Sequence, residues 1–304
     1  MKKRVPGIFS APDIFFVMKY GDIYLIPVPI GNLGDITLRA IDLLKKAELI
    51  ACEDTRVTSF LLQQYKIPIP KLISFHKFNE KQREEFLLKY LESGEDLMVV
   101  SDAGSPAISD PAEKLVKAAI DKGIKVFALP GASALLPAIT VSGFSTRQFQ
   151  FVGFLSQQPK SRREKLQEIA EYPYATIIYE APQRLHRLLR ELLLHCGNRK
   201  IFICREISKL YEEHIYTTLE EINQNPSLKI KGEFCLVLDG KRINSNTDDE
   251  SDKITEDKLI DYINEALDLG LKTKEISEKV SLMSSLNKRE AYNLVVETQK
   301  ERDN

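Results

Sequence analysis

The chain has 304 residues, of which 43% are hydrophobic and 29% are charged, and its formal net charge is −1. This balance excludes an intrinsically disordered protein, and the length suits more than one domain of about 100–200 residues. The small net charge excludes a protein that attracts nucleic acid through its whole surface, so any RNA contact must use local basic patches.

Four widely spaced cysteines form no Cys-x-x-Cys pair and no group with histidine at zinc-ligand spacing: Cys52, Cys196, Cys204 and Cys235. We therefore predict buried, reduced thiols, no metal site and a cytoplasmic protein. Residues 1–21 lack a continuous apolar run, which indicates an N-terminal extension and not a signal peptide. The chain has no stretch of about 18 apolar residues, so we predict no membrane span.

The region 22–143 alternates short apolar runs with amphipathic segments. Strands are predicted at residues 23–28, 49–51, 72–74, 97–100 and 125–128. Helices are predicted at residues 37–47, 58–65, 80–91 and 112–122. Because the strands are apolar along their length and alternate with helices, the pattern predicts an N-terminal α/β domain with a parallel sheet covered on both faces.

The region 144–241 has more closely spaced strands and predicts a second α/β domain with a mixed sheet. Its strands are predicted at residues 149–152, 175–179, 201–204, 214–218 and 233–238, with helices at 161–170 and 183–195. The polar, acidic residues 242–256 predict a linker. Residues 257–304 predict a small helical module, with helices at 258–269, 274–280 and 288–298.

Four predicted turns are rich in Gly, Pro, Asp and Ser: residues 29–35, 101–111, 129–134 and 179–184. Turns at the carboxyl ends of parallel strands bind ligands in α/β proteins. The glycines of the first turn allow close approach of a ligand, although a plain turn explains that sequence equally well. The third turn, residues 129–134, leads directly into a helix, and a simple tight turn explains its sequence equally well.

The second of these turns, residues 101–111, is long for a simple connection. A capped helix start explains Asp110 and Pro111, but it does not explain residues 102–106. A loop with this many backbone amides can bind a polar ligand such as a carboxylate or a ribose. We therefore predict a ligand-binding loop here.

Two further loops, at residues 53–56 and 74–80, carry clustered polar groups. Glu53 and Asp54 follow the second predicted strand, where paired carboxylates suit acid–base chemistry but also suit a helix N-terminus. Glu180 is either a buried cap or a group that faces a ligand, and His76 alone is more often structural than catalytic.

The basic segments 160–163 and 184–190 predict RNA contacts or, equally, a solvated charged face.

From about residue 22 to residue 240 these motifs, in this order, resemble the tetrapyrrole-methylase superfamily. The matching segments are residues 29–40, 53–56, 101–111, 130–134, 180–184, 205–213 and 231–234. Within the superfamily the chain is most similar to the branch that methylates the 2′-hydroxyl of a cytidine ribose in 16S rRNA. Ser105, Ala132, Ala181 and Gln183 replace the commoner Thr, Pro, Ser and His, and these mild changes leave every motif recognisable.

The resemblance implies a two-domain, non-Rossmann class III methyltransferase fold with a small C-terminal helical module. It implies S-adenosylmethionine as cofactor, held in a cleft between the two α/β domains. The implied cofactor-binding residues are Pro29, Asp102, Ala103, Gly104, Ser105, Pro106, Pro130, Gly131, Ser133 and Ala134. It also implies a homodimer that acts on 16S rRNA within the assembled small ribosomal subunit.

A ribose 2′-hydroxyl is a poor nucleophile at neutral pH, so methylation needs a base or a group that stabilises the alkoxide. The candidate bases are Glu53, Asp54 and Glu180, and the residues alone do not choose between them. The predicted RNA contacts are Arg56, His76, Arg162, Arg163, Arg184 and Lys209.

Two alternatives compete with this interpretation. The first is a C-methyltransferase of the same superfamily that acts on a corrin or sirohaem precursor. The second is a non-catalytic ribosome-binding or nucleotide-sensing module. The loops at residues 53–56 and 76–80 and the helical tail favour the RNA branch, and the complete set of cofactor loops argues against the non-catalytic module.

Overall fold

The computed structural model describes residues 20–108, 112–225, 229–241, 256–284 and 286–303. The predicted N-terminal extension and the predicted linker at residues 242–256 lie almost wholly outside these residues, as do Asp110 and Pro111. The contacts of the chain divide it into two compact units between Ser133 and Ala134, whereas the sequence predicts the first boundary after residue 143. Among the described residues, none of the helices has the length and apolar character needed to cross a membrane.

The first unit contains a five-stranded parallel sheet with the strand order β3-β2-β4-β1-β5. Its strands are β1 Ile23–Leu25, β2 Leu49–Cys52, β3 Lys71–Ser74, β4 Leu97–Val100 and β5 Val126–Ala128. The helices between them are α1 Leu38–Lys46, α2 Thr55–Gln64, α3 Glu80–Glu92 and α4 Ala112–Asp121, and a 3₁₀ turn spans Leu33–Asp35. All five predicted strands and all four predicted helices of this region are therefore confirmed.

Both faces of the sheet are buried at the central strands β2 and β4. Alternate residues of a strand point to opposite faces, and in β4 the buried Leu97 and Val99 pack with Leu87 and Leu115 of the helices α3 and α4. Their neighbours Met98 and Val100 pack on the other face with residues of α1 and α2, including Leu44 and Leu62. The near-continuous apolar strands follow from this double burial.

Two element boundaries in the first unit differ from the prediction for identifiable reasons. Strand β1 ends at Leu25 instead of continuing to residue 28, because Pro27 has no backbone N–H to donate to the ladder. Val28 instead forms an isolated bridge to Gly104. Helix α2 begins at Thr55, because the side chain of Asp54 accepts a hydrogen bond from the amide of Arg56 at 2.8 Å and caps the helix.

The second unit contains a mixed five-stranded sheet with the order β6-β7-β10-β8-β9. Strands β6 Phe149–Phe154 and β7 Ala175–Glu180 are parallel to each other. The other pairs are antiparallel and involve β8 Lys200–Arg205, β9 Glu213–Thr218 and β10 Phe234–Leu238. Each predicted strand of this region is thus present, and the predicted mixed sheet is confirmed.

The helices of the second unit include one that the sequence analysis missed. In chain order they are α5 Leu135–Val141, α6 Pro159–Glu171, α7 Leu185–Cys196 and α8 Leu219–Asn223, and a 3₁₀ turn at Pro182–Arg184 precedes α7. The missed helix α8 begins with a capping box between Thr218 and Glu221, a Thr-x-x-Glu signal that the sequence displays. Helices α6, α7 and α8 cover one face of the sheet, around Leu166, Leu188 and Ile222.

The C-terminal helices belong to the second unit and have their own apolar core. They are α9 Glu256–Asp268, α10 Thr273–Met283 and α11 Lys288–Asp303, which confirms the predicted helical module. Leu194, near the end of α7, is part of that core together with Ile263, Val280 and Val295. The module is therefore packed onto α7 and is not a free tail.

Next to this junction, His195 is expected to make stability fall in mild acid. The amino group of Lys279 lies 3.3 Å from Nδ1 of His195 and donates to the carbonyl of Leu194 at 3.2 Å. Burial, with the positive charges of Lys279 and Arg163, lowers the pKa of His195 from 6.5 to about 4. Below pH 6.5 the imidazole of His195 binds a proton in the unfolded chain but stays neutral in the folded chain. The free energy of unfolding therefore decreases as the pH falls toward about 4.

Urea unfolding should therefore show a loss of about 2 kcal/mol between pH 7 and pH 5 that is absent from the His195→Gln variant. The exposed His186 provides the control, because His186→Gln should keep the full pH dependence. An unchanged pH dependence in His195→Gln would contradict this assignment.

Candidate functional site

The loop after β4 lies at the centre of the carboxyl edge of the parallel sheet and is hydrogen-bonded to the loops after β1, β2 and β5. Gly104 and Val28 exchange two backbone hydrogen bonds of 3.0 Å, which joins this loop to the end of β1. Ser105 donates from Oγ to the carbonyl of Ala132 at 3.1 Å, which joins it to the loop after β5. The amide of Asp54 donates to Oδ1 of Asp102 at 3.0 Å, which joins it to the loop after β2. The four loops therefore form one connected surface.

Two glycines allow this close approach. Gly104 has a φ of +77°, and a Cβ built there would lie 3.3 Å from Cγ2 of Ile30 and 3.6 Å from the carbonyl oxygen of Ala132. A Cβ on Gly131 would lie 2.5 Å from Cβ of Pro27, a distance that forces one of the two loops to move. Glycine is favoured at position 131 because a Cβ would collide with the Pro27 ring, and at position 104 because of the positive φ and the nearby Ile30 side chain.

The predicted cofactor residues differ in their exposure to solvent. Pro29, Gly104 and Pro106 are buried, so they can contribute only shape or backbone groups to a ligand. Four others are exposed: Asp102, Ala103, Pro130 and Gly131. Ser105, Ser133 and Ala134 are half-buried. The structure thus brings the loops of unit 1 together and leaves a carboxylate with small-residue backbone at their surface.

Asp102 is the ionisable side chain among these cofactor residues. Burial, helped by the negative charge of Asp54, raises the pKa of Asp102 above its ordinary value, while the hydrogen bond from the Asp54 amide acts in the opposite direction. Ser101 shapes the turn below it by donating from Oγ to the carbonyls of Ala103 and Gly104, at 3.2 and 3.1 Å. A carboxylate beside exposed backbone fits a ligand that carries hydroxyl and ammonium donors.

Of the candidate bases, Asp54 is held by Arg56. Its carboxylate accepts hydrogen bonds from the Arg56 amide at 2.8 Å, from Nε at 3.0 Å and from Nη2 at 2.5 Å. These bonds, the side-chain bond first, lower the pKa of Asp54 from 3.8 to about 2. A carboxylate with so low a pKa is a weak base at neutral pH.

A direct titration tests this pairing. The carboxyl carbon of Asp54, followed by NMR, should titrate with a midpoint of about 2, and in Arg56→Gln the midpoint should return toward 3.8. The exposed Arg39 on α1 serves as control, since Arg39→Gln should leave the midpoint unchanged. A midpoint that stays near 2 without Arg56 would show that the helix terminus alone lowers this pKa.

The third candidate base, Glu180, lies in a buried ion-pair network of the second unit, which we call the Arg162 cluster. Arg162 on α6 donates from Nε to Oε2 of Glu191 at 2.7 Å, and its Nη2 lies 3.8 Å from Oε2 of Glu180. Glu180 also accepts from Nε of Arg184 at 2.7 Å, and Glu191 accepts from Nε of Arg187 at 2.9 Å. This network ties α6, β7 and α7 together.

The Arg162 cluster corrects one predicted RNA contact. Arg162 is only 3% exposed, so its guanidinium is enclosed within the protein and faces carboxylates, not solvent. Glu180 is 2% exposed and is paired with arginines on two sides, which corresponds to the buried-cap alternative of the sequence analysis. Both residues are structural in this arrangement.

The other predicted RNA contacts are divided between the two units. Arg163 is paired with Glu275 at 3.3 Å and donates to the carbonyl of Gly270 at 3.1 Å, so it joins α6 to the C-terminal helices. Lys209 donates to Glu206 and Glu233 at 2.9 Å each.

The remaining members are His76, Arg56 and Arg184, and they differ in exposure. Nδ1 of His76 accepts from the amide of the exposed Phe78 at 3.2 Å. The side chain of Arg56 is 89% exposed. Arg184, besides its bond to Glu180, lies over the ring of Phe154 at 5.9 Å. Arg56 is therefore the most accessible cation of the predicted set.

Comparison with known proteins defines the class. The family model for tetrapyrrole (corrin/porphyrin) methylases matches residues 22–223. A uroporphyrin III C-methyl transferase from Thermus thermophilus aligns with a TM-score of 0.54 at 20% identity over 72% of this chain and 97% of that chain. Another structure of that kind of enzyme from the same organism, complexed with S-adenyl homocysteine, gives a TM-score of 0.52 at 18% identity over 71% of this chain and 97% of that chain.

The chain belongs to the tetrapyrrole methylase family, and it is a methyltransferase of this two-domain fold. Within the family, it is 42% identical to the ribosomal RNA small subunit methyltransferase I of Halalkalibacterium halodurans, over 277 residues that cover 90% of this chain and 94% of that protein. The family, the fold class and the enzyme class predicted from the sequence are thereby confirmed.

Three residues of the site were not among the predicted cofactor residues, although Ile30 and Ser101 lie within the predicted turns and only Pro27 lies outside them. Pro27 and Ile30 are the side chains that Gly131 and Gly104 approach, and Ser101 supports the turn after β4. Pro27 and Ile30 flank Pro29 in the same apolar-to-turn transition, so their position after the first strand was the available signal. Their contacts depend on strand order, which the sequence does not display.

Proposed function

We propose that this chain transfers a methyl group from S-adenosylmethionine to the 2′-hydroxyl of a cytidine in 16S rRNA within the small ribosomal subunit. The proposal includes a cytoplasmic homodimer. The observation that carries it is the 42% identity, over nearly the whole length of both proteins, to a ribosomal RNA small subunit methyltransferase I. The solved tetrapyrrole enzymes are far less similar, at 20% identity, and support only the fold.

The cofactor role is assigned to the connected loops of the first unit. Asp102, Ser105 and the backbone of residues 103–104 and 130–134 would hold S-adenosylmethionine, with Pro29 and Pro106 shaping the loops from below. These residues fit the cofactor, because its ribose hydroxyls and its ammonium group donate hydrogen bonds that the carboxylate and the backbone carbonyls can accept. When bound, the cofactor supplies a methyl group that is already activated by a positive sulfur.

The task of the chain is then to orient the ribose and to accept the proton that the 2′-hydroxyl loses. We assign proton acceptance to Glu53, since Arg56 holds the pKa of Asp54 at about 2 and Glu180 is enclosed by arginines. Arg56 and His76 are assigned to RNA contact on the first unit, and Arg184 and Lys209 on the second. The assignment of Glu53 fails if Glu53→Gln keeps normal turnover, with Glu48→Gln, at the opposite end of β2, as the matched control.

The decisive experiment supplies tritiated S-adenosylmethionine with three substrates. These are small ribosomal subunits from a strain that lacks the modification, naked 16S rRNA and a porphyrinoid precursor. We expect label in the subunit, at one ribose that resists alkaline cleavage. Label in the porphyrinoid alone would replace this function by tetrapyrrole C-methylation. Cofactor binding without any transfer would support the non-catalytic module.

A further inference from the structure

Three residues with metal-binding side chains meet at the connection between β8 and β9, and we call them the β8–β9 triad. They are Cys204, Glu212 and His214, and one ligand atom from each lies within 4.8 Å of the others. Cys204 and His214 are directly opposite each other in the antiparallel ladder, so their side chains lie on the same face of the sheet. None of the three residues is among those assigned above to the cofactor, the proton transfer or the RNA.

We propose that the β8–β9 triad binds one Zn²⁺-class divalent cation through the Cys204 thiolate, the Glu212 carboxylate and the His214 imidazole. Thiolate and imidazole are ligands that select a borderline-soft ion, whereas Mg²⁺ and Ca²⁺ prefer oxygen alone. Three protein ligands leave a fourth tetrahedral position for water. The proposal does not depend on which RNA the protein methylates.

The two exposed ligands are already oriented toward each other. Nε2 of His214 lies 2.7 Å from Oε1 of Glu212, and the amide of Ser208 donates to Oε2 of Glu212 at 2.7 Å. That amide fixes the carboxylate while leaving Oε1 directed at the imidazole. The ring of Phe202 contacts the His214 ring edge-on, with centroids 5.4 Å apart. Fixing ligands from outside in this way is how proteins prepare a metal site.

Charge and access also agree with a cation. Cys204 is buried while Glu212 and His214 are exposed, so an ion can reach the triad from solvent and meet the sulfur beneath. On binding, the metal replaces the proton of the Cys204 thiol, and this proton is released to solvent. The resulting thiolate and the carboxylate together neutralise a divalent ion.

The triad connects the two ends of an unusual turn. Glu206 and Ser208 have φ values of +57° and +66°, a conformation that non-glycine residues adopt only under strain. The turn begins just after Cys204 and ends at Glu212. An ion bound to both ends would hold it closed, so metal should raise the unfolding temperature of the full chain.

The test uses the full-length protein, stripped with a chelator and titrated with Zn²⁺ and Co²⁺. We expect one equivalent of Zn²⁺ to bind, a thiolate-to-Co²⁺ charge-transfer band, and a higher unfolding temperature with Zn²⁺. His214→Gln and Glu212→Gln change exposed side chains, so they keep the fold and should weaken binding by about 10-fold or more. Cys204→Ser should abolish the charge-transfer band.

Two matched controls should bind as the wild type does. His186→Gln removes an exposed histidine outside the triad, and Cys235→Ala removes the cysteine opposite Cys204 in strand β10. Three results would overturn the proposal: no Zn²⁺ uptake by the wild type, equal affinity in His214→Gln, or Co²⁺ binding without a thiolate band.

Discussion

Replacing Arg162 with methionine is expected to lower the free energy of unfolding of the second unit by about 3–5 kcal/mol. The side chain is 3% exposed and donates to Glu191 at 2.7 Å. Its removal leaves the carboxylates of Glu180 and Glu191 buried with one arginine fewer, and an uncompensated buried charge is costly. The packing of the arginine stem is largely preserved by methionine, so most of the loss is electrostatic.

The matched control is Arg187→Met, because Arg187 binds the same carboxylate from a half-exposed position. Its Nε donates to Oε1 of Glu191 at 2.9 Å, but its side chain is 53% exposed. An exposed pair contributes little, so this variant should lose about 1 kcal/mol or less. Urea unfolding followed by circular dichroism measures both variants. Equal losses in the two would mean that burial does not decide the strength of these pairs.

A second substitution separates charge from packing in the Arg162 cluster. The Arg162→Met variant leaves two buried carboxylates, those of Glu180 and Glu191, without their Arg162 partner. Adding Glu191→Gln removes one of these two charges. The double variant should therefore recover part of the lost stability, and the double-mutant cycle gives the coupling between the two residues. No recovery would indicate that Glu191 is satisfied by Arg187 alone.

The Arg162 cluster also shows that the sequence contained a signal for the burial of Arg162 but none for its carboxylate partners. The basic segment at residues 160–163 suggests an RNA-binding or solvated face. Arg162, however, shares the helical spacing of the buried Leu166 and Ile169, four and seven positions later, and Arg163 does not. The helical spacing was thus an available signal for a buried Arg162, which the sequence analysis did not use. The two carboxylates that pair with Arg162 had no such signal in the sequence.

The strands were predictable because each is an apolar run bounded by turn residues, and β4 was predicted with both ends correct. The convergence of the loops after β1, β2, β4 and β5 was predictable too, since parallel strands put their carboxyl ends at one edge. The bonds between Asp102 and Asp54, or between Ser105 and Ala132, were not, because they depend on strand order.

The β8–β9 triad illustrates a further limit. Cys204, Glu212 and His214 have no spacing that a zinc motif uses, and the sequence analysis predicted no metal site. Their proximity comes from antiparallel register, which pairs Cys204 with His214 across ten positions of chain. Ligands assembled by register carry no local sequence signal.

Gly104→Ala is expected to weaken binding of S-adenosylmethionine by about 10–100-fold, which corresponds to about 1.4–2.7 kcal/mol. At a φ of +77° an L-residue is strained, and the new Cβ would lie 3.3 Å from Ile30 and 3.6 Å from the Ala132 carbonyl. The positive φ is the main source of strain, because the Ile30 side chain can shift slightly and 3.6 Å is an ordinary contact. We expect the backbone at residue 104 to relax, which changes the connected surface to which the cofactor is assigned.

Gly123→Ala isolates the effect of position from that of backbone strain. Gly123 has the same φ of +77°, but a Cβ there has nothing within 4 Å, and the residue lies before β5, at the opposite edge of the sheet. Both variants should therefore lose similar stability, about 1–2 kcal/mol, while only Gly104→Ala should lose cofactor affinity in calorimetric titration. Normal affinity in a folded Gly104→Ala would place the cofactor elsewhere, and weakened affinity in both would mean that global strain, not the loop, controls binding. Because the two substitutions share the residue type and the backbone conformation, the difference between their affinities measures what the loop after β4 contributes.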